Sequence, residues 1–253
     1  MTVMALIDYD DTAAAAFQAA RELADDGLQE WRAAIARYLA PRPGMRVLDV
    51  GSGTGRWATA LADWYGIDVI AIEPSAAMRA RCSHPLTLAG HAAAIPLADA
   101  TADGVWLSTV VHHIPDLPAA AAEMRRVLRP GAPVLIRSGF PGRQDQISMF
   151  RFFPEALRVV DTYPSVDEVC TAFAAAGFTR TALEAVPQVT ADSLASAVAG
   201  FRRDAHTPLI LIGDAEYEAG LARLRAAAAT ESGPVIDHLD LLVLHSPGGH
   251  LVG

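Results

Sequence analysis

The chain contains no lysine: its 20 basic residues are all arginine, set against 29 acidic residues for a formal charge of −9. A net negative surface without a lysine-rich stripe suits a phosphate backbone poorly, so nucleic acid is excluded as an expected partner. Cysteine is almost as scarce. Cys82 and Cys170 stand far apart without a CxxC spacing, which predicts packed, reduced thiols rather than a disulfide or a zinc site. Long apolar runs are missing too. No stretch approaches the ~18 residues that would mark a membrane span, and the opening MTVMALIDYDD has neither a basic leader nor a cleavage-type ending. Export and membrane association are not expected, and the cytoplasm is the expected compartment. What the chain does have is 253 residues at 52% hydrophobic content, enough to bury one large core within a single globular unit.

Hydrophobic spacing organises that unit. Phe17, Leu23, Leu28, Trp31, Ile35 and Leu39 recur at helical steps, which reads as two helices broken near Asp25-Asp26-Gly27. An alternation then begins: strand 46–50, helix 56–65, strand 68–72, helix 75–82, strands 86–89 and 104–110, helix 118–128, strand 132–137. Strands alternating with helices of this length imply right-handed crossovers and a mostly parallel sheet covered on both faces. Beyond Arg137 the beat falters into an aromatic insertion at 139–163. A helix at 165–176 follows, with Ser165 and Glu168 in a capping-box arrangement and Gly177 as its stop. A strand near 178–186, helices around 191–203 and 214–229, and a strand near 238–245 complete the pattern.

The most informative stretch is VLDVGSGTG, residues 47–55, where an apolar strand turns into a helix through glycines at alternate positions. Glycines there let a ligand approach the backbone closely, and the turn aims the free N–H groups of a helix start at it. Glu73 closes the next strand, where a carboxylate can accept both hydroxyls of a ribose. A nicotinamide site would satisfy that feature as well. The glycine spacing separates the two: the dinucleotide fingerprint is G-x-G-x-x-G, and here the third glycine comes one residue early, with Arg56 in its place.

Together with VIAIEPSAAM, GHAAAIPLADATADGVWLSTVVHHI and EMRRVLRPGAPVLI, this stretch resembles the ordered motifs of class I S-adenosylmethionine-dependent methyltransferases, in particular the bacterial small-molecule branch. The resemblance covers about residues 40–138. It implies an α/β, Rossmann-like seven-stranded mostly parallel sheet in the order 3-2-1-4-5-7-6, the last strand antiparallel, with helices on both faces. It also implies a helical cap at 1–40, a catalytic domain at 41–246 with insertions at about 139–163 and 191–229, and a loose tail at 247–253. The implied cofactor is S-adenosylmethionine, released as S-adenosylhomocysteine, with no metal. The implied reaction is methyl transfer to an O, N or C nucleophile of a small molecule in bacterial secondary metabolism, by a monomer or a homodimer. A relative that binds the same cofactor but catalyses cyclisation or decarboxylation is the alternative, and an NAD(P)-dependent oxidoreductase a more distant one.

Carried over position by position, the resemblance puts Asp49, Gly51, Ser52 and Gly53 at the methionine end of the cofactor and Glu73 at the ribose. Pro74 and Met78 line the adenine. His91 and Ala92 take the stretch that reads the adenine edge, although relatives usually have Asp or Glu where this chain has His91. Backbone at Ser108 and Thr109 faces the sulfonium, and Tyr9 and Arg21 cover the cofactor from the N-terminal segment.

Methyl transfer needs alignment above all, which supplies on the order of 7–11 kcal/mol, and a general base only for weak nucleophiles. His112 and His113 follow the strand whose tip faces the methyl, so they are the catalytic candidates; a purely structural role for both stands beside that reading. Adjacent residues point different ways, which predicts that one of them reaches the substrate. Asp116 either orients one of the rings or opens the next helix. Phe140, Phe150, Phe152 and Phe153 suggest a flat apolar guest, with Arg143 or Arg151 placed to pair with a carboxylate. The charges of Glu216, Glu218, Arg223 and Arg225 read as a solvated helix face.

Overall fold

The computed structural model describes residues 25–248; Tyr9, Arg21 and most of the expected N-terminal cap lie outside that range. Seven strands form one sheet in the order β3-β2-β1-β4-β5-β7-β6. They are β1 Arg46–Val50, β2 Asp68–Glu73, β3 Thr87–Ala89, β4 Gly104–Ser108, β5 Pro133–Ser138, β6 Thr179–Ala191 and β7 Val235–His245. The first five run parallel, and β7 is antiparallel to both β5 and β6. The expected order is therefore met.

Period-two alternation divides each central strand between two cores. Leu48 and Val50 of β1, Val105 and Leu107 of β4, and Val134 and Ile136 of β5 pack on one face with α4 (Leu117–Val127) and α7 (Val166–Ala175). Val47, Trp106 and Leu135 pack on the other with α1 (Gln29–Leu39) and α2 (Arg56–Tyr65). On that second side, where Asp49, Glu73, Ser108 and Arg137 continue the alternation, the apolar lining gives way to polar groups at the strand tips. α3 (Ala76–Ala80) follows β2, capped by the Ser75 hydroxyl, and α7 starts with the expected capping box of Ser165 and Glu168.

The last two strands are longer than their apolar patterning predicts. β5 pairs with β7 only over Pro133–Ser138 and Asp240–His245, so residues 235–239 of β7, still paired with β6, run on past the carboxyl ends of the parallel strands. Pro187 is tolerated inside β6 because that strand is at the edge of the sheet. This overhanging ribbon carries a third core, built from α5 (Ser148–Phe152), α6 (Leu157–Val160), α8 (Leu194–Gly200), α9 (Thr207–Ile210) and α10 (Asp214–Ala228). Ion pairs tie the two inserted segments together: Arg158 to Glu216 at 2.6 Å, Arg223 to Glu155 at 2.7 Å and Arg151 to Glu231 at 2.5 Å. Glu216 and Arg223 stand on an exposed helix face, as expected, and there pair with charges of the other insertion.

Candidate active site

The glycine turn between β1 and α2 is held in left-handed geometry at all three positions, with φ of +73° at Gly51, +56° at Gly53 and +80° at Gly55. A side chain at Gly51 would drive into Val110, and one at Gly55 into the Cys82 thiol. The bareness of the loop is therefore enforced twice, by backbone conformation and by its neighbours. The amides behave differently from expectation. Gly51 and Ser52 donate to the Ile72 carbonyl at 2.7 and 3.2 Å, and Gly55 to the Ser52 carbonyl at 3.0 Å. These N–H groups brace the turn rather than await a ligand.

Glu73 completes the brace. Its two carboxylate oxygens accept the Gly53 and Ser75 amides, each at 2.8 Å, and burial raises its pKa against those hydrogen bonds. Each oxygen retains acceptor capacity beyond one N–H, so the carboxylate can hold the turn and still receive hydroxyls. Beneath the turn lies Asp49, only 1% exposed. Burial pushes its carboxyl up to about 7, with the nearby Glu73 charge adding to the shift and a backbone hydrogen bond from Ala58 opposing it. Asp49 Oδ2 and the Ser52 hydroxyl are both buried with no hydrogen-bond partner among the described residues. Two such atoms at one bare turn mark a place where polar contacts remain to be made.

Along the β2 and β3 tips, Met78 is buried and Pro74 exposed. Ala92 packs into the main core while His91 is exposed, its backbone bridging to Ala94. At the tip of β4, Ser108 is half-buried and Thr109 has a φ of +52°, a conformation that costs a β-branched residue on the order of 1–3 kcal/mol. Its amide is fixed to the Arg137 carbonyl at 2.7 Å. A short 3-10 turn, Val111–His113, follows. The two histidines do not diverge as expected: their rings touch, centroids 4.1 Å apart, and His112 lies flat on Tyr163 at 4.2 Å and 8°. Asp116 caps α4 by accepting the Ala119 amide at 2.9 Å, so helix initiation is its observed role.

A cavity of about 930 Å³ opens from this tip into the space between the overhanging ribbon and the helices that ribbon carries, α5, α6, α8, α9 and α10, which form a helical cap of their own distinct from the expected N-terminal one. Thr109, His112, Arg56 and Arg137 line it from the sheet and its loops, and Phe150, Phe152, Phe153, Tyr163 and Phe201 from the inserted segments. Phe140 belongs to the main core instead. Arg143 is bidentate to Asp240 at 2.7 and 2.8 Å, and Arg151 is bound to Glu231, so both expected carboxylate partners hold the cap instead of facing the cavity. The sequence reading missed Arg137, Gln188 and Tyr163. Arg137 gave a signal, as the one charged residue in the apolar run of β5. Among the described residues no group of three or more His, Cys, Asp or Glu is arranged to hold a metal ion, and no helix is long and apolar enough to cross a membrane.

Residues 48–136 match the family model described as a methyltransferase domain. Over 110 residues the chain is 37% identical to a demethylmenaquinone methyltransferase of Beutenbergia cavernae, covering 42% of this chain and 45% of that one. The chain thus spans about half the length of the curated relatives it matches. Among solved structures, a protein of Anabaena variabilis described as a methyltransferase from an antibiotic biosynthesis pathway superposes with a TM-score of 0.65 at 23% identity, over 84% of this chain and 96% of that one. The [4+2]-cyclase SpnF superposes with a TM-score of 0.57 at 17% identity, over 98% and 88%. The latter two likenesses bear on fold alone.

Proposed function

We propose that this chain, a member of the class I S-adenosylmethionine-dependent methyltransferase family, transfers a methyl group to a small molecule held beneath its helical cap. The observation that carries this reading is a juxtaposition: the cavity reaches Thr109 and His112 at the tip of β4, and β4 is the immediate neighbour of β1 and its glycine turn. An acceptor in the cavity and a cofactor on the turn would therefore meet at one strand tip, where ligands of open parallel sheets bind.

The residues present fit the cofactor. Asp49 and Ser52 would offer buried oxygens to its methionine end, Glu73 would receive the ribose hydroxyls, and Pro74, Met78 and the stretch at His91 and Ala92 would flank the adenine. Backbone at Ser108 and the turn glycines Gly51 and Gly53 allow the closest approach. When bound, the cofactor supplies an activated methyl on a sulfonium. The chain's own part is alignment: the aromatic wall of the cap positions a flat acceptor and excludes water. His112, lying in the cavity wall and braced by Tyr163, takes the proton from a hydroxyl or ammonium acceptor, while His113 supports its ring. An acceptor of secondary-metabolite size fits the reading, because cavities of roughly 300–1,000 Å³ enclose drug-sized ligands.

Incubation of the purified chain with S-adenosylmethionine and candidate acceptors, followed by mass analysis, tests the proposal. Product heavier by one methylene unit, with one S-adenosylhomocysteine per product, is the expected outcome. A product of unchanged mass formed with the cofactor intact would mean cyclisation, and methyl transfer would have to be abandoned.

A further inference from the structure

The cavity of about 930 Å³ lies near the upper end of the roughly 300–1,000 Å³ that encloses a drug-sized ligand. At ~30 Å³ per water in the liquid it has the volume of about 30 waters, most of which a single-ring acceptor would leave in place. The cofactor does not account for this space. Among the described residues that line it are neither the turn glycines nor Asp49, Ser52 or Glu73. The wall is also held against collapse. Phe201 is stacked on the buried Phe153 with centroids 5.2 Å apart and planes 7° from parallel, and Tyr217 backs Phe153 at 5.7 Å and 23°. Ion pairs fix the two inserted segments to each other. On α8, Ala197 and Gly200 stand three residues apart on one helix face, and both border the cavity. A Cβ at Gly200 would meet no atom within 4 Å outside its own helix and adjoining residues. Room is thus kept where larger side chains could have filled it.

Planar rings meet aromatic side chains in offset stacks or edge to face, a preference that an alkyl chain lacks. Each further ring also replaces water against an apolar wall and adds contacts there. We infer that the acceptor is polycyclic, built of three or more fused or linked rings, with its reacting group at Thr109 and His112 and its ring system along the aromatic wall, and that Ala197 and Gly200 set the size admitted. This rests on the methyltransferase reading above. A ring system of that size has to be supplied by a ring-forming reaction, so methylation follows closure of the scaffold.

The test is equilibrium dialysis of the full chain, first with S-adenosylhomocysteine and then, in its saturating presence, with phenol, 2-naphthol and 2-hydroxyanthraquinone. 4-Octylphenol, of similar size to the anthraquinone but with an open chain, is the comparison for shape. Affinity is expected to rise with each ring, at least thirtyfold from phenol to the anthraquinone, and 4-octylphenol to bind at least tenfold more weakly than the anthraquinone. Ala197→Phe and Gly200→Phe are each expected to weaken the anthraquinone tenfold or more, with S-adenosylhomocysteine affinity kept within twofold. Equal affinity for phenol and the anthraquinone, no binding by any probe, or an anthraquinone affinity unaltered in both variants would overturn the inference. So would 4-octylphenol binding as tightly as the anthraquinone, which would assign the cavity to an open chain. Protein that binds S-adenosylhomocysteine but shows no ring preference sinks this inference alone; protein that does not bind S-adenosylhomocysteine takes down the methyltransferase reading with it. The open surroundings of Gly200 keep the variant test valid where Ala197→Phe fails to fold, and the wild-type series stands without either.

Discussion

On the proposed function, Asp49 should tie cofactor affinity to pH. Its carboxyl stands at about 7 instead of 3.8 because burial disfavours the charged form. A cationic ligand beside it reverses that preference, so binding an S-adenosylmethionine sulfonium should expel the proton. With a free-state value near 7, about one molecule in ten is ionised at pH 6 and about nine in ten at pH 8. Affinity should therefore improve about tenfold across that interval, or ~1.4 kcal/mol. Calorimetry in buffers of different ionisation heat measures both the slope and the proton released. The cofactor's own ammonium also titrates, so the decisive comparison is with Asp49→Asn, in which the Asp49 contribution to the slope should vanish. S-adenosylhomocysteine, lacking the sulfonium charge, should show a weaker dependence. The sign for stability is opposite. A raised carboxyl binds its proton more tightly when folded, so relative to Asp49→Asn the ligand-free protein should lose stability as pH climbs from about 4 to about 7, by at most ~4 kcal/mol. Identical pH slopes for wild type and Asp49→Asn, in binding and in unfolding, would refute the assignment of this group.

The remaining expectations concern the turn, the base and the cap. Glu73→Ala should weaken S-adenosylhomocysteine binding by roughly 1.5–3 kcal/mol, the value of charge-assisted hydrogen bonds; unchanged affinity by calorimetry would remove it from the site. His112→Ala should slow transfer to a hydroxyl by about 10²–10⁴-fold while sparing cofactor affinity, and loss of the acidic limb of the pH–rate profile would separate base catalysis from mere positioning. Gly220 lies inside α10, where a Cβ would drive into the Phe153 ring. Gly220→Ala should therefore destabilise the cap by about 1–3 kcal/mol despite the better helix propensity of alanine, as a lowered melting temperature would register.

Much of the sheet was legible because its central strands obey simple periodicities and its crossovers end in glycine or caps. VLDVGSGTG announced the bare turn between β1 and α2 and Glu73 the acidic tip beside it, although the sequence could not tell that Ile72 and Glu73 themselves occupy the turn's amides. The overhang of β6 and β7 was hidden for a physical reason. Beyond Val186 the strands carry Pro187, Gln188, Asp237 and His238, polar or strand-breaking residues at a sheet edge and along a cavity wall, which interrupt the apolar alternation even though Val235 packs into the third core. Pairings across long separations were equally opaque: Tyr163 reaches His112, and Arg143 reaches Asp240, only once the insertions fold back. An arginine inside a strand can be read as charged but not as pointed, which is why Arg137 escaped notice while Arg143 and Arg151 drew it.

All four tryptophans of the chain form one linked array, Trp31, Trp57, Trp64 and Trp106, with neighbouring centroids 4.9 to 6.2 Å apart. Excitation absorbed by any one of them will hop among the rest, so the protein emits as one lamp rather than four. That lamp sits against the guanidinium that borders the cavity, and whatever settles there should dim or brighten the entire ultraviolet emission, giving a label-free gauge of occupancy without dye or added probe.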